Sequence, residues 1–578
     1  MVTAAAAAAA GRPVTVIVRG QAGCAAAVAT NIRQLGGTVT RTLGILDGAA
    51  AKVPAGQVAA LRANPCVAAV TPDGSVNLSS FGGYDPTADT GSLYNTTQMI
   101  GAQAYWKAGY TGKGVGVALI DSGVSPVQGL NLGRNQLTNG ADISFDSQSP
   151  SLQYLDGFGH GTHMAGIIAG NDGSLSAQSY AGNTSQFVGV APDARIVNVK
   201  VADAQGASDV SQVIAGIDWV VQHQDDNGMN IGVLNLSFGT DSLQSYQVDP
   251  LAYAAEQAWR HGLAVVVAAG NGGAATASLT NPAIDPFVIA VGAADTNGTP
   301  STADDTIAAF SSTGSSTRSP DLVAPGAHIE GLRDPGSYID SQFGSTATVA
   351  NRFFLGSGTS QAAAVVSGAA ALLLQQHHDL TPDQVKFELT SSATPLANQP
   401  TNRQGSGELT IANELHGKPP KAKQTFAPSN GTGTLDGSRG SIHLVANGVT
   451  LSGETDIIGN AWSSGSMASA EASASAWNGG TFNGSGWSGS GWSGSGWSGS
   501  GWSGSGWSGS GWSGSGWSGN VWTGSGWSGS GWSGSGWSGS GWSGSGWSGS
   551  GWSGSGWSGS GWSGSGWSGS GWSDAVWA

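Results

Sequence analysis

The stretch GSGTSQAAA, residues 356–364, decides how this 578-residue chain is interpreted. It is a turn of small residues leading into a long apolar helix, which we predict over Ser360–His377. Ser360 thus lies at a helix N-terminus, where unpaired N–H groups and the helix dipole create a positive local field. Serine there has two interpretations. It is an N-cap, a position that serine favours, or a nucleophile whose oxyanion the N–H groups stabilise.

Short apolar strands alternate with helices on both sides of this stretch. Strands are predicted at Val115–Ile120, Ile196–Val201, Ile231–Leu236, Leu263–Ala269 and Phe287–Val291, and helices at Asp209–Val221, Leu251–Arg260 and after Thr381. Continuous apolar strands between helices indicate a parallel sheet covered on both faces. We therefore predict an α/β fold with a doubly wound, mostly parallel sheet. Functional groups gather at the carboxyl ends of such strands, where Asp121 and Asn271 lie.

Residues 13–78 follow a different pattern, strand–helix–strand–strand–helix–strand, which is typical of a small ferredoxin-like α+β domain. Cys24 and Cys66, the only cysteines of the chain, both lie in it. They are either joined by a disulfide, which suits an oxidising compartment, or are two free buried thiols. An Ala-rich segment, residues 1–12, precedes this domain, and residues 79–93 are interpreted as an exposed linker.

The C-terminal part of the chain changes composition. We interpret residues 418–476 as a linker that carries a β-hairpin around Asn447-Gly448. Residues 477–578 are a Gly-Trp-Ser-Gly-Ser repeat segment, with a tryptophan every five residues from Trp487 on. Three interpretations of the repeat stay open: a disordered Gly/Ser chain, a pentapeptide β-solenoid, or a binding module whose spaced indole rings stack on sugars or interfacial lipid.

Charge and hydropathy exclude several classes of function. Asp and Glu number 36 against 21 Lys and Arg, and the net charge of −15 argues against a nucleic-acid partner. Outside the Ala-rich start, no apolar run reaches the ~18 residues of a transmembrane span. The first ten residues lack the basic and Leu-rich regions of a signal peptide, so none is evident in this sequence.

Three short motifs stand in one order along the chain: Asp121-Ser-Gly, His160-Gly-Thr-His163 and Gly-Thr-Ser360. A serine hydroxyl becomes a strong nucleophile when an imidazole takes its proton and a carboxylate orients that imidazole. Each residue alone has a structural interpretation, but the three together favour a triad. With these motifs in this order, residues 94–417 resemble the subtilisin-like serine proteases of peptidase family S8.

The resemblance implies a role for each motif residue. Ser360 would be the nucleophile, His160 the general base and then acid, and Asp121 the orienting carboxylate. Asn271, in Ala-Gly-Asn-Gly, would donate to the oxyanion together with the backbone N–H of Ser360. His163, on the helix after His160, would pack or hydrogen-bond there.

The resemblance also implies two substrate-binding segments. Ser237, Phe238 and Gly239 would pair with an extended substrate and line one wall of the pocket for the residue before the scissile bond. The other wall would consist of three small residues, Ala268, Ala269 and Gly270. Small walls leave room for a large apolar side chain.

The chain departs from the family pattern beside the nucleophile. Gln361 stands where the family usually has methionine, and Ala364 stands where it usually has proline. Neither residue performs the chemistry. The exchange of methionine removes an oxidation-sensitive neighbour of the nucleophile.

The resemblance implies an extracellular or cell-surface endopeptidase made as a precursor. Its substrates would be polypeptides, and residues 13–78 would be an inhibitory propeptide cut off within 79–93, or alternatively a permanent N-terminal domain. No cofactor is required, and structural calcium is common in the family although no ligands are assignable here. The alternative function is a surface-attachment protein whose Trp-rich repeat binds a cell-surface glycan or the envelope, with the protease fold as a weak or inactive carrier.

Overall fold

The computed structural model describes most of the chain up to Trp487. The described residues are 13–72, 85–130, 136–149, 151–173, 177–299, 301–446, 449–478 and 480–487. Part of the predicted linker at 79–93 and the repeat after residue 487 lie outside them. The chain divides into two compact units, residues 1–82 and 83–578.

The first unit is an antiparallel sheet with two helices. Its elements are β1 (Pro13–Gly20), α1 (Ala25–Gln34), β2 (Thr38–Leu43), β3 (Gly48–Pro54), α2 (Val58–Arg62) and β4 (Val67–Pro72). The strand order is β2-β3-β1-β4, with all neighbours antiparallel, so the predicted ferredoxin-like arrangement is confirmed. Of the two alternatives for Cys24 and Cys66, the structure has the disulfide.

The second unit is built on an eight-stranded sheet. Its strands are β5 (Gly116–Asp121), β6 (Leu137–Asp142), β7 (Arg195–Lys200), β8 (Ile231–Leu236), β9 (Ala264–Ala268), β10 (Ile289–Asp295), β11 (Thr306–Ile307) and β12 (Leu322–Pro325). The order is β11-β10-β9-β8-β5-β7-β6, and β12 pairs with β10. Every pair is parallel except β10–β11, which confirms a mostly parallel sheet. Sequence inspection missed β6, because LTNGAD has no continuous apolar run.

The described part of the second unit also contains twelve α-helices. They are α3 (Leu93–Met99), α4 (Ala102–Lys107), α5 (His160–Ala169), α6 (Ala177–Tyr180), α7 (Val210–His223), α8 (Pro250–Arg260), α9 (Tyr338–Ala347), α10 (Thr359–Gln376), α11 (Pro382–Ser392), α12 (Thr401–Gln404), α13 (Leu435–Arg439) and α14 (Ser464–Ala472). The capping boxes predicted at Asp209 and Thr381 are both present. Helix α10 is buried from Thr359 to Leu373, as its nearly all-apolar sequence predicts. None of the described helices combines the length and apolarity that crossing a membrane needs.

Short strands complete the second unit. They are β13 (Ile329–Leu332), β14 (Thr348–Val349), β15 (Phe353–Gly356), β16 (Val445–Ala446), β17 (Val449–Thr450), β18 (Trp477–Asn478), β19 (Thr481–Phe482) and β20 (Ser485–Gly486). Strands β16 and β17 pair antiparallel, as the hairpin prediction requires, and their connection at 447–448 lies outside the described residues.

The segment that we interpreted as a linker, residues 418–476, differs from that prediction. Arg439 is fully buried and forms an ion pair with Asp209 at the start of α7. Further along the chain, the indole N–H of Trp477 donates to the carbonyl of Ala215 at 2.9 Å. Arg439 and Trp477 stand among small residues, mostly Gly, Ser and Ala. The sequence around them therefore has no hydrophobic periodicity that would predict their packing.

Two buried carboxyl groups face each other beside β12. The backbone of Glu408 bridges to Val323 and Thr394, while Asp305 precedes β11. None of their four oxygens accepts a hydrogen bond from a donor group in the described part of the chain. Burial and the neighbouring Asp305 raise the pKa of Glu408 to about 10, and burial raises the pKa of Asp305. One shared proton supplies the missing donor.

This pair predicts a loss of stability at alkaline pH. An acid whose pKa is raised by folding stabilises the fold fully below its unfolded pKa, and that stability falls as pH rises towards about 10. Glu408→Gln replaces the shared proton with an amide donor. We expect it to remove a slope of up to about 1.4 kcal/mol per pH unit, measured by denaturant unfolding from pH 5 to 10. Asp305→Asn is the matched variant, and an unchanged slope in both would contradict the shared proton.

Candidate active site

Asp121 and His160 meet at the carboxyl edge of the sheet. Asp121 is the last residue of β5 and is fully buried, and His160 is the first residue of α5. The Nδ1 atom of His160 lies 2.8 Å and 2.9 Å from the two carboxylate oxygens of Asp121. Because an ionised carboxylate only accepts, Nδ1 carries the proton, which leaves Nε2 as the basic atom of the neutral ring.

The charge of Asp121 is held in a buried setting. Burial raises the pKa of Asp121, and its contact with His160 and the N–H of Ser122 oppose that rise without cancelling it. The Ser122 N–H donates to the carboxylate at 2.7 Å. A low-dielectric surrounding strengthens the attraction between Asp121 and an imidazolium at His160.

Asp156 joins the end of β5 to the start of α5, and sequence inspection did not identify it. Its carboxylate accepts the hydroxyl of Ser122 at 2.8 Å and the N–H groups of Gly159 and Thr162 at 2.7 Å each. It therefore satisfies two free N–H groups at the start of the helix that carries His160. A buried aspartate four residues before the histidine, in Asp-Gly-Phe-Gly-His, is the signal that could have identified it.

The residue that follows His160 must be glycine, because the backbone there passes close to Gly123 and Asp121. A Cβ on Gly161 would overlap the carbonyl oxygen of Gly123 and lie 3.1 Å from a carboxylate oxygen of Asp121. Only glycine lets α5 start so near the strand end. This requirement explains the Gly of the His-Gly-Thr-His motif.

Ser360 is the second residue of α10 and is 5% exposed. The N-cap of this helix is Gly358, so the structure does not support Ser360 as the cap. The reason is that the helix starts one residue earlier than the sequence pattern indicates. The hydroxyl of Ser360 is thus not used for capping, and its backbone N–H lies in the first turn, where helices leave such groups without intrahelical acceptors.

Asn271 is anchored beside Ser360 through Thr359. The side-chain oxygen of Asn271 accepts from the N–H of Thr359 at 2.9 Å and from its hydroxyl at 3.0 Å. This assigns the oxygen, so the other atom, Nδ2, is the donor, and it would lie 3.4 Å from a Cβ on Gly358. Thr359 was not singled out from the sequence, although it is the middle residue of Gly-Thr-Ser.

The two predicted substrate segments lie at the same sheet edge. Ser237–Gly239 follows β8, and Ala268–Gly270 contains the end of β9, the neighbouring parallel strand. Both segments close around Thr280, because a Cβ on Gly239 or Gly270 would lie 2.6 Å or 2.7 Å from its side chain. Their glycines are therefore required by packing against Thr280.

His163 is a packing residue, as expected. It is buried, and its Nε2 lies 2.9 Å from the carbonyl oxygen of Phe354 on β15. Burial lowers the pKa of His163 to about 3, so the ring is neutral at physiological pH. It is therefore unsuited to exchanging protons near neutral pH.

A carboxylate-bound histidine and a serine at a helix start are parts that serine hydrolases use. Residues 112–407 match the subtilase family, peptidase S8, and residues 2–73 match a putative peptidase inhibitor domain. The chain is 36% identical over 315 residues to serine protease AprX of Bacillus subtilis (strain 168), covering 53% of this chain and 67% of that protein. It is 35% identical over 308 residues to subtilisin Savinase of Lederbergia lenta, covering 53% and 93%. A crystal structure of a cold-adapted subtilisin-like serine proteinase shares 30% identity over 52% of this chain and 90% of that chain, with a TM-score of 0.39.

The chain belongs to the subtilase family: it is a subtilisin-like serine peptidase that carries an N-terminal inhibitor domain. Its substrates are peptides, and the chemistry of this family needs no organic cofactor. These family matches do not favour the alternative of a surface-attachment protein with a weak or inactive protease fold.

The position of Asp156 predicts a linked loss of stability and reactivity. Asp156→Ala leaves two helix N–H groups and the Ser122 hydroxyl without their acceptor, so we expect the free energy of unfolding to fall by about 2 kcal/mol. Modification of Ser360 by a fluorophosphonate should slow, because the start of α5, which carries His160, is no longer held by the Asp156 carboxylate. Thr381→Ala, which removes the cap of the distant helix α11, is the control and should destabilise without slowing modification. Equal slowing in both variants would contradict the role of Asp156.

Proposed function

We propose that Asp121, His160 and Ser360 are the catalytic triad of a serine endopeptidase that is made as a self-processed precursor. The contact of His160 Nδ1 with both oxygens of Asp121, at 2.8 Å and 2.9 Å, is the observation that carries this proposal. Asp121 holds the ring in one tautomer and stabilises its protonated form. Nε2 of His160 then takes the proton of the Ser360 hydroxyl as that oxygen attacks the peptide carbonyl.

The same proton completes the first half of the reaction. His160 gives it to the leaving amine, which departs and leaves an acyl group on Ser360. Water, activated by the same histidine, then releases the acid. Asp121 remains ionised throughout and stabilises the imidazolium formed in each half.

The oxyanion of each tetrahedral intermediate would accept from the side-chain amide of Asn271 and the backbone N–H of Ser360. Support comes from the two hydrogen bonds to Thr359, which commit the side-chain oxygen of Asn271 and turn the amide nitrogen into the donor. Donors held in place before the reaction stabilise developing charge at little reorganisation cost.

Substrate recognition would use the two segments that close around Thr280. An extended peptide would pair with Ser237, Phe238 and Gly239, while Ala268, Ala269 and Gly270 would line the other wall. Both segments lie at the carboxyl ends of neighbouring parallel strands, as a shared cleft requires. The small wall residues leave room for a large apolar side chain before the scissile bond.

We propose that residues 13–78 are the propeptide, that processing occurs within 79–93 and that the catalytic domain spans 94–417. The match of residues 2–73 to an inhibitor domain supports the first assignment. The Cys24–Cys66 disulfide supports maturation in an oxidising, extracytoplasmic compartment.

Two finer expectations remain predictions. Glycan or envelope binding by the Trp repeat concerns residues that the structure describes only as far as 487. Structural calcium is implied by the family, but within the described ranges no three His, Cys, Asp or Glu side chains converge in a metal-ligating group, so we name no ligands.

The triad is tested with a serine-directed fluorophosphonate on the full chain. Wild-type protein should become labelled, and Ser360→Ala should be unlabelled and should stay full length when purified, because both modification and self-processing need the nucleophile. Ser367→Ala is the matched control on the same helix: Ser367 is also buried and donates to Asn235, so labelling should persist. Labelling or processing of pure Ser360→Ala protein would refute the assignment.

Gln361 predicts resistance to oxidation. It follows the nucleophile and is 2% exposed, and unlike methionine it has no sulfur to oxidise. Peptidase activity should therefore survive mild peroxide, and Gln361→Met should introduce loss of activity in step with sulfoxide formation, followed by mass spectrometry. Equal rates of inactivation in both proteins would show that another of the oxidisable residues limits activity.

A further inference from the structure

A buried arginine lies outside the part of the chain that matches the family. Arg439 ends α13, has no solvent exposure and directs its whole guanidinium into hydrogen bonds. Nε and Nη2 donate to the two carboxylate oxygens of Asp209 at 2.7 Å and 3.2 Å. Nη1 donates to the carbonyl of Gly453 at 2.8 Å, and Nη2 donates to the carbonyl of Thr455 at 2.6 Å. The planar fork thus ties Asp209 to the C-terminal segment.

Asp209 closes a loop that runs along the active site. This loop, residues 201–209, starts at β7, where the N–H of Val201 donates to the carbonyl of Asp121 at 2.9 Å. Further on, a Cβ on Gly206 would lie 2.8 Å from the ring of Phe158, two residues before His160. The loop then ends at Asp209, the N-cap of α7.

The same C-terminal turn also holds the segment after the first substrate wall. The Thr240 hydroxyl donates to the carbonyl of Ser438 at 2.6 Å, and the N–H of Ser441 donates to the carboxylate of Asp241 at 2.7 Å. Thr240 and Asp241 directly follow Ser237–Gly239 in the chain. Residues 438–441 therefore contact both the loop beside the triad and the two residues that directly follow the wall segment.

Charge makes Arg439 the critical member of this contact. Burial favours the neutral form of Asp209, but the guanidinium and the hydrogen bonds from Ser211 together outweigh burial and lower the pKa of Asp209 below its usual value. The Asp209 carboxylate also caps α7 by accepting from the N–H of Ser211 at 2.9 Å. Without Arg439 a buried carboxylate would lack its counter-charge, so the loop must shift to reach water or a proton must bind.

We propose that Arg439 is a positioning residue for substrate binding: it holds loop 201–209 and the segment after Ser237–Gly239 in fixed relation, so that extended peptides bind productively. The proposal rests on the proposed role of Ser237–Gly239. A substrate that occupies only the pocket for the residue before the scissile bond uses little of this wall. A peptide extended by several residues pairs with its main chain and needs it in place.

The test measures kcat and KM of the full-length protein with two substrates. One is a single-residue ester, and the other is a peptide amide extended by three further residues on the acyl side, with the same residue before the scissile bond. For Arg439→Met, we expect KM for the extended substrate to rise at least about fivefold, while kcat for both substrates and KM for the ester change less than about twofold. Arg439→Lys keeps the charge but not the fork, and should fall between.

Trp477→Phe is the matched control. It removes a buried hydrogen bond between the same C-terminal segment and α7, at Ala215, without touching loop 201–209 or Thr240–Asp241. KM for both substrates should stay at the wild-type value. If Arg439→Met fails to fold, the ratio of the two KM values is measured on Arg439→Lys instead.

Two results would overturn the proposal: an unchanged ratio of extended to short KM in the arginine variants, or the same change of ratio in Trp477→Phe. Fluorophosphonate labelling of Ser360 distinguishes a failure of the Arg439 proposal from a failure of the proposed catalytic function. Labelled wild-type protein with an unchanged ratio refutes only the role of Arg439. Wild-type protein that resists labelling refutes the catalytic assignment on which the inference rests.

Discussion

The active site depends on the parallel pairing of β5, β8 and β9. Parallel strands end at one edge, so Asp121, the Ser237–Gly239 segment and the Ala268–Gly270 segment come together although more than a hundred residues separate the first from the last. An antiparallel neighbour in the middle of the sheet would carry its chain end to the opposite edge. Only the outermost strand, β11, is antiparallel, and none of the proposed site residues lies on it.

Glycines at close backbone contacts and buried aspartates at helix starts position the segments that the sheet brings together. Gly161, Gly239 and Gly270 let backbones pass where a side chain would overlap its neighbours. Asp156 and Asp209 each place a buried carboxylate at a helix start, where backbone N–H groups satisfy it. Two helices beside the site thus begin at acids that accept hydrogen bonds in place of water. These acids also fix neighbouring loops, since moving either one would expose an unsatisfied charge to a low-dielectric interior.

Much of the fold could be predicted from sequence, because its main elements carry local signals. The apolar strands β5, β7, β8 and β9 and the helices α7 and α10 were identified within about two residues, and so was the capped start of α11. The ferredoxin-like order of the first unit was equally readable. The N-cap of α10 was not predicted: small residues in Gly-Thr-Ser make the exact helix boundary ambiguous, and the structure places the cap at Gly358. Strand β6 escaped because LTNGAD has no continuous apolar run, and the packing of residues 418–476 escaped because their buried apolar side chains occur singly or in pairs among polar and small residues.

By itself, the sequence determined the class of fold, the family and the order Asp121, His160, Ser360, since short motifs demand particular residue types at fixed local spacing. Its resemblance to the family also led to the predicted roles of Asn271 and the two substrate segments. Only the tertiary structure decided the long-range partners: Thr359 for Asn271, Thr280 for the two walls and Arg439 for Asp209. The physical reason is distance along the chain. Contacts between residues as far apart as Asp209 and Arg439, 230 positions along the chain, leave no local pattern and form only when the packed core brings their backbones together.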